Sequence, residues 1–334
     1  MDFLNSEKLA KLRHIFDLNY RLSHLYASYL ELCPELISKK MIDEITKGTD
    51  ISKKEALVAL LSEIFGLDDA RGGDDRILIR KYLSRSVTLL DTKKYTDNPY
   101  YKNIKIDTVS DGDWEFKWES YPPYRAAISG DMIKEDDYTE YAPLGFFDEE
   151  FSFLAVLEGG NEWMTLTPVD LDTSEEAIKK ARGKVVTFGL GLGYFAYMAS
   201  EKDDVASVTV VERSEKVASL FKRHILPQFK NGHKINIVIS DAFDYAKDEM
   251  PKESFDFAFV DTWRDASDGA PMYKKMKALE SLSPDTEFSY WIEQFLISRL
   301  RAEKFEELYR LCEENSPDAP SDYTEFISRL NEIL

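Results

Sequence analysis

Hydrophobic and polar positions change their period twice along this chain. Over residues 6–91, Ile15, Leu18, Leu22, Leu25 and Tyr26 recur at helical spacing, as do Ala56, Leu57, Leu60, Leu61 and Ile64. Ser52-Lys53-Lys54-Glu55 has the spacing of a capping box that opens a helix, and Gly66 is its expected stop. From 92 to 168 aromatic and charged residues alternate instead, most clearly in Asp113-Trp114-Glu115-Phe116-Lys117-Trp118, which predicts a small β-rich module with hairpins. Thr173-Ser174-Glu175-Glu176 is expected to cap the next helix. Short apolar runs then follow at 185–188, 207–211, 235–239 and 255–260, each closed by polar residues, as parallel strands buried on both faces read. The stretches 214–226 and 242–247 between them read as helices. Gly269-Ala270-Pro271 looks like a break before a helix at 272–279. One further strand is expected near 287–291, then an amphipathic helical tail broken near Pro317 and Pro320. The expected fold is α/β, a mostly parallel sheet with flanking helices, divided as 1–91 helical, 92–172 β-rich, and 173–334 sheet domain with tail.

The chemistry concentrates where the first parallel strand ends. Val185-Val186-Thr187-Phe188 runs directly into Gly189, Gly191 and Gly193, and a helical pattern starts at Tyr194. Glycine at alternate positions of a strand-to-helix turn lets a ligand approach the backbone. The second strand ends in Glu212, 21 residues after Gly191 (212 − 191 = 21), where a carboxylate can accept from ribose hydroxyls. The third and fourth strands end in Asp241-Ala242 and Asp261, and ligands of open α/β sheets bind at this carboxyl edge. A dinucleotide is not expected, because Tyr194 stands where that fingerprint needs its third glycine, and no Gly-Lys-Ser/Thr of a phosphate loop follows.

Taken together, these motifs resemble the S-adenosylmethionine-dependent methyltransferases with a Rossmann-like sheet, over about residues 173–265. The resemblance implies that Gly189, Gly191 and Gly193 admit the cofactor, that Glu212 holds its ribose, and that Asp241 with Ala242 recognises adenine. It sets Asp261 beside the reactive sulfonium as candidate base, with the 92–168 module covering the site and residues 163–168 nearest to it. Strand, glycine and acid spacing is also similar to the spermidine-synthase-like branch, where aminopropyl transfer is the activity. That branch usually carries an Asp at the position of Leu192, and methyltransferases usually carry an acid at the position of Thr187. A non-catalytic cofactor-binding protein is the third expectation. Tyr121-Pro122-Pro123-Tyr124 and Asp97-Asn98-Pro99-Tyr100 look like amine-positioning loops, but the first lacks the polar acceptor and the second has one proline, so both read as turns. Trp263 reads as core or as pocket wall.

Composition narrows the partners. A net charge of −19 argues against general affinity for nucleic acid or anionic membranes; the expected partner, which goes with the methyltransferase resemblance, is a small-molecule acceptor. The four histidines, His14, His24, His224 and His233, lack metal-ligand spacing, so no metal is expected. Two cysteines, Cys33 and Cys312, cannot form a disulfide framework, and Met1-Asp2-Phe3-Leu4-Asn5-Ser6-Glu7 lacks a signal-peptide pattern, so a cytoplasmic protein is expected.

Overall fold

The computed structural model describes residues 6–333; residues 1–5, on which part of the signal-peptide expectation falls, lie outside them. The chain forms two units that interleave along the sequence. The first takes the residues up to Leu90, Pro122–Glu149 and those from Gln294 onward; the second takes Asp91–Tyr121 and Glu150–Glu293. Both the 92–172 and the 173–334 stretches thus contribute to each unit.

The first unit is mainly helical. Helix Glu7–Leu32 starts at Ser6, whose hydroxyl accepts the Leu9 N–H, and buries Leu18, Leu22, Tyr26 and Tyr29 along one face. These pack with Ala56, Leu57 and Leu61 of helix Lys53–Ile64, whose capping box forms between Ser52 and Glu55 as its spacing predicts. Gly66 follows that helix with φ +65°, a left-handed stop. Leu144 and Phe146 enter the same core from a three-stranded sheet in which Val87–Leu90 pairs parallel with Leu144–Phe147, and Ala126–Ile128 antiparallel. Val87–Leu90 is thus a strand inside the stretch expected to be helical, because Leu144–Phe147 supplies it with a partner. A second core joins Leu9, Leu12 and Phe16 to Phe305, Leu308, Phe326 and Leu330. The last four come from helices Glu293–Glu313 and Tyr323–Asn331, and both expected prolines lie between these helices.

The second unit contains two sheets. An antiparallel one runs in the order Val109–Asp111, Trp114–Tyr121, Phe151–Glu158, Asn161–Thr165. The other is wholly parallel: β1 (Gly183–Phe188), β2 (Val205–Glu212), β3 (Ile235–Ile239), β4 (Phe257–Val260) and β5 (Glu287–Tyr290), in the order β3-β2-β1-β4-β5. Val185, Val186 and Phe188 are wholly buried, as a central strand flanked on both faces requires. β3 departs from that expectation. It is an edge strand, and Ile239 is 45% exposed. Strand order reverses between β1 and β4, so the crevice for a ligand lies beyond their carboxyl ends. After β5 the chain enters helix Glu293–Glu313, so no closing hairpin follows among the described residues.

Two helix starts differ from expectation. Helix α1 (Pro168–Lys180) begins ahead of Thr173-Ser174-Glu175-Glu176, because Pro168 presets the first-turn φ and Asp170 Oδ2 accepts both the N–H and the O–H of Thr167 at 2.8 Å. Helices α2 (Tyr194–Ser200) and α3 (Glu215–His224) follow β1 and β2. Helix α4 (Ala266–Leu279) runs through Gly269-Ala270-Pro271 without a break, since Asp265 and Asp268 cap it reciprocally.

Candidate functional site

All three glycines of the turn after β1 have left-handed φ: +98° at Gly189, +50° at Gly191 and +75° at Gly193. What a side chain would meet at each shows how tightly the turn is packed. A Cβ on Gly189 would lie 1.9 Å from the Asp261 carbonyl oxygen, one on Gly191 2.1 Å from Met164 Sδ, and one on Gly193 2.2 Å from the Phe221 ring. The ends of β1 and β4 therefore touch through backbone at the switch point. The Leu192 peptide is held on both sides: its N–H donates to Met164 Sδ at 3.2 Å, and its carbonyl accepts from the Tyr100 hydroxyl at 2.6 Å.

Glu212 lies against this turn and is 7% exposed. Its Oε2 accepts the Leu190 N–H at 3.1 Å and its Oε1 the Ser214 N–H at 2.7 Å. The glycine turn and the β2 acid thus meet, and each carboxylate oxygen keeps a lone-pair direction beyond these bonds. Asp241 is exposed and is the N-cap of the turn it opens: Oδ1 accepts from Phe243 N at 2.8 Å and Asp244 N at 3.2 Å, and among the described residues no bond engages Oδ2. Ala242 starts that helical turn.

On the other side of the turn, Asp261 and Asp170 line one small cavity with Met164, Ser174, Thr187, Gly189 and Trp291, among others. Its volume is about 20 Å³, room for a single water. Asp170 is pushed up to about 6, mainly by burial, against the pull of the Thr167 donors. Asp261 is pushed up to about 8, first by burial and then by the charges of Asp170 and Glu212. Both side chains keep some accessible surface, but protein surrounds them closely enough for desolvation to dominate. At neutral pH Asp261 is therefore mainly the neutral acid, and as a base it needs a pH above about 8 or a nearby cation.

Asp170, Tyr100 and Trp291 stand at the turn and its cavity without belonging to the expected site residues. Met164, in the strand Asn161–Thr165, touches the turn, in line with the expectation that 163–168 come nearest. Asp170 carries a legible signal, its place three residues after Thr167. Tyr100 and Trp291 carry none. Asn98 caps the helix Pro99–Asn103 and donates to the Tyr194 hydroxyl at 2.9 Å, so it braces the turn helix. Trp263 is 6% exposed, stacks on Tyr290 at 6.3 Å and is core. Among the described residues no three His, Cys, Asp or Glu side chains stand close enough to hold a metal ion, and no helix is long and apolar enough to cross a membrane.

No family model matches the chain, and no curated protein matches it either. Solved structures resemble it at a distance. Spermidine synthase from Thermotoga maritima is 15% identical, with a TM-score of 0.32 over 59% of this chain and 62% of that one. A putative SAM-dependent methyltransferase from Streptococcus mutans is 18% identical, with a TM-score of 0.29 over 38% of this chain and 36% of that one. The chain thus spans under two thirds of the length of either, and the chemistry of its site rests on its own geometry.

Proposed function

We propose that the second unit binds the adenosine part of S-adenosylmethionine and that the chain is an S-adenosylmethionine-dependent methyltransferase with a small-molecule acceptor. One observation carries this: Glu212, at the end of the strand next to β1, bonds the Leu190 amide inside a turn made of three left-handed glycines. An acid fixed on a glycine turn at the crevice edge is the arrangement that grips a ribose.

The residues fit the cofactor on one condition. A pocket for a ligand of this size needs about 300 Å³ or more, whereas the cavity beside the turn holds about 20 Å³. Met164 fills the notch that Gly191 leaves, so its side chain must leave first. With the notch open, the remaining lone pairs of Glu212 would accept from the ribose hydroxyls, Asp241 would accept from the adenine amino group, and the Ala242 N–H would meet a ring nitrogen. Bound there, S-adenosylmethionine would supply an activated methyl group with a good leaving group, so the protein's part is alignment. A cationic group bound beside Asp261 would lower its pKa and ready its carboxylate to take a proton from an acceptor.

A second reading, non-catalytic binding, draws support from the filled notch and from the neutral state of Asp261. Aminopropyl transfer draws less, because Leu192 is fully buried where that chemistry uses an acid. The test is turnover: incubation with S-adenosylmethionine and with its decarboxylated form over a panel of amines, phenols and carboxylic acids. Release of S-adenosylhomocysteine from the first supports methyl transfer, and release of methylthioadenosine from the second supports aminopropyl transfer. Neither product, despite tight cofactor binding, favours the non-catalytic reading.

A further inference from the structure

We propose that Met164 is a gate built into the nucleoside site: in the free protein its side chain occupies the glycine turn, and a ligand binds only when it swings out. The inference rests on the binding of an S-adenosyl ligand proposed above. Three observations place the gate. The Met164 thioether accepts the Leu192 N–H, an amide of the turn between Gly191 and Gly193, so the donor is taken internally. A Cβ on Gly191 would fall 2.1 Å from Met164 Sδ and 2.8 Å from its Cε, so the space that glycine keeps free is already filled by this side chain. The pairing of Asn161–Thr165 with its neighbour shifts register between Val156 and Leu157, so that Met164 pairs with Val156 and Glu162 with Leu157. Trp163 is thereby an extra residue, and a β-bulge directly before Met164 re-aims it, as bulges beside sites do.

Methionine suits the task. It is unbranched and turns about three side-chain bonds, and its sulfur is a weak acceptor, so contact with the turn is easily made and given up. Its strand is the last of the antiparallel sheet, and the side chain is half-buried, so a rotamer change toward solvent disturbs no closed core. Occupation of the notch by the protein's own side chain lowers apparent affinity by the fraction of time the gate stands open.

The experiment is calorimetric titration of S-adenosylhomocysteine into the full chain as wild type, Met164→Ala and Met164→Leu, with circular dichroism confirming each fold. Met164→Ala, which empties the notch, binds at least about tenfold tighter than wild type, whereas Met164→Leu, which keeps the bulk, stays within about threefold of it. Without ligand, the Leu192 amide exchanges its hydrogen faster in Met164→Ala than in wild type. Equal or weaker binding by Met164→Ala, or unchanged Leu192 exchange, overturns the gate and leaves the nucleoside reading intact. No binding by any of the three folded proteins overturns both.

Discussion

Gly189 is the position at which the site and the fold depend on the same missing atom. A methyl group there meets the left-handed penalty and a backbone oxygen at 1.9 Å that no side-chain rotation can relieve. Gly189→Ala is therefore expected to cost about 2–5 kcal/mol. Gly160→Ala, with φ +80° but nothing within 4 Å, should cost only the conformational part, about 1–2 kcal/mol. Denaturant unfolding of the two variants checks this, and equal losses would contradict the packing described. Asp261 gives a second residue-scale prediction. Its folded pKa of about 8 lies above the ordinary 3.8, so between those values the native state holds a proton that the unfolded chain has released. Wild type thus loses stability as pH rises through that window, and the loss levels off above about 8. Asp261→Asn removes this dependence, so its stability relative to wild type should grow between pH 5 and about pH 8 and then level off in urea unfolding curves. A gap that stays constant with pH would show that Asp261 ionises normally.

The elements were legible wherever local chemistry decides them. The four apolar runs became parallel strands because each is too short for a helix and closed by polar residues. Ser52 and Glu55 form their capping box because both partners lie within one turn, and Ser52→Ala should cost about 1 kcal/mol in thermal unfolding. An unchanged melting temperature would mean that this cap is satisfied by water. Elements fixed by competing local signals were less legible. Two cap patterns compete ahead of α1, and Pro168 decides for the earlier one, which hides Asp170 inside a helix rather than in a loop. At α4, Asp265 and Asp268 outweigh the breaker Pro271, which loses one helical bond six residues into the helix. Val87–Leu90 has a partner 57 residues away in Leu144–Phe147 (144 − 87 = 57), and nothing in its four residues announces that pairing.

At the scale of the molecule, periodicity marked the three textures of the chain, but not that the 122–149 stretch leaves the β-rich region to join the helices of the first unit. Strand Trp114–Tyr121 pairs with Phe151–Glu158 across that excursion, and long-range pairing of this kind carries no short-range signal. The meeting of the glycine turn with Glu212 was legible because its spacing is set by one strand-turn-helix unit and the next strand. Met164 and Tyr100, which bond Leu192 in the turn, depend on tertiary contact. We propose that Glu212 and the glycine turn grip one adenosine. It is tested most directly by calorimetric titration of S-adenosylmethionine into wild type and Glu212→Gln, both verified as folded. Saturable binding to wild type, weakened in Glu212→Gln by about 1.5–3 kcal/mol, roughly 10- to 150-fold, is the predicted result. Equal affinity of the two proteins, or no heat with wild type, would contradict it.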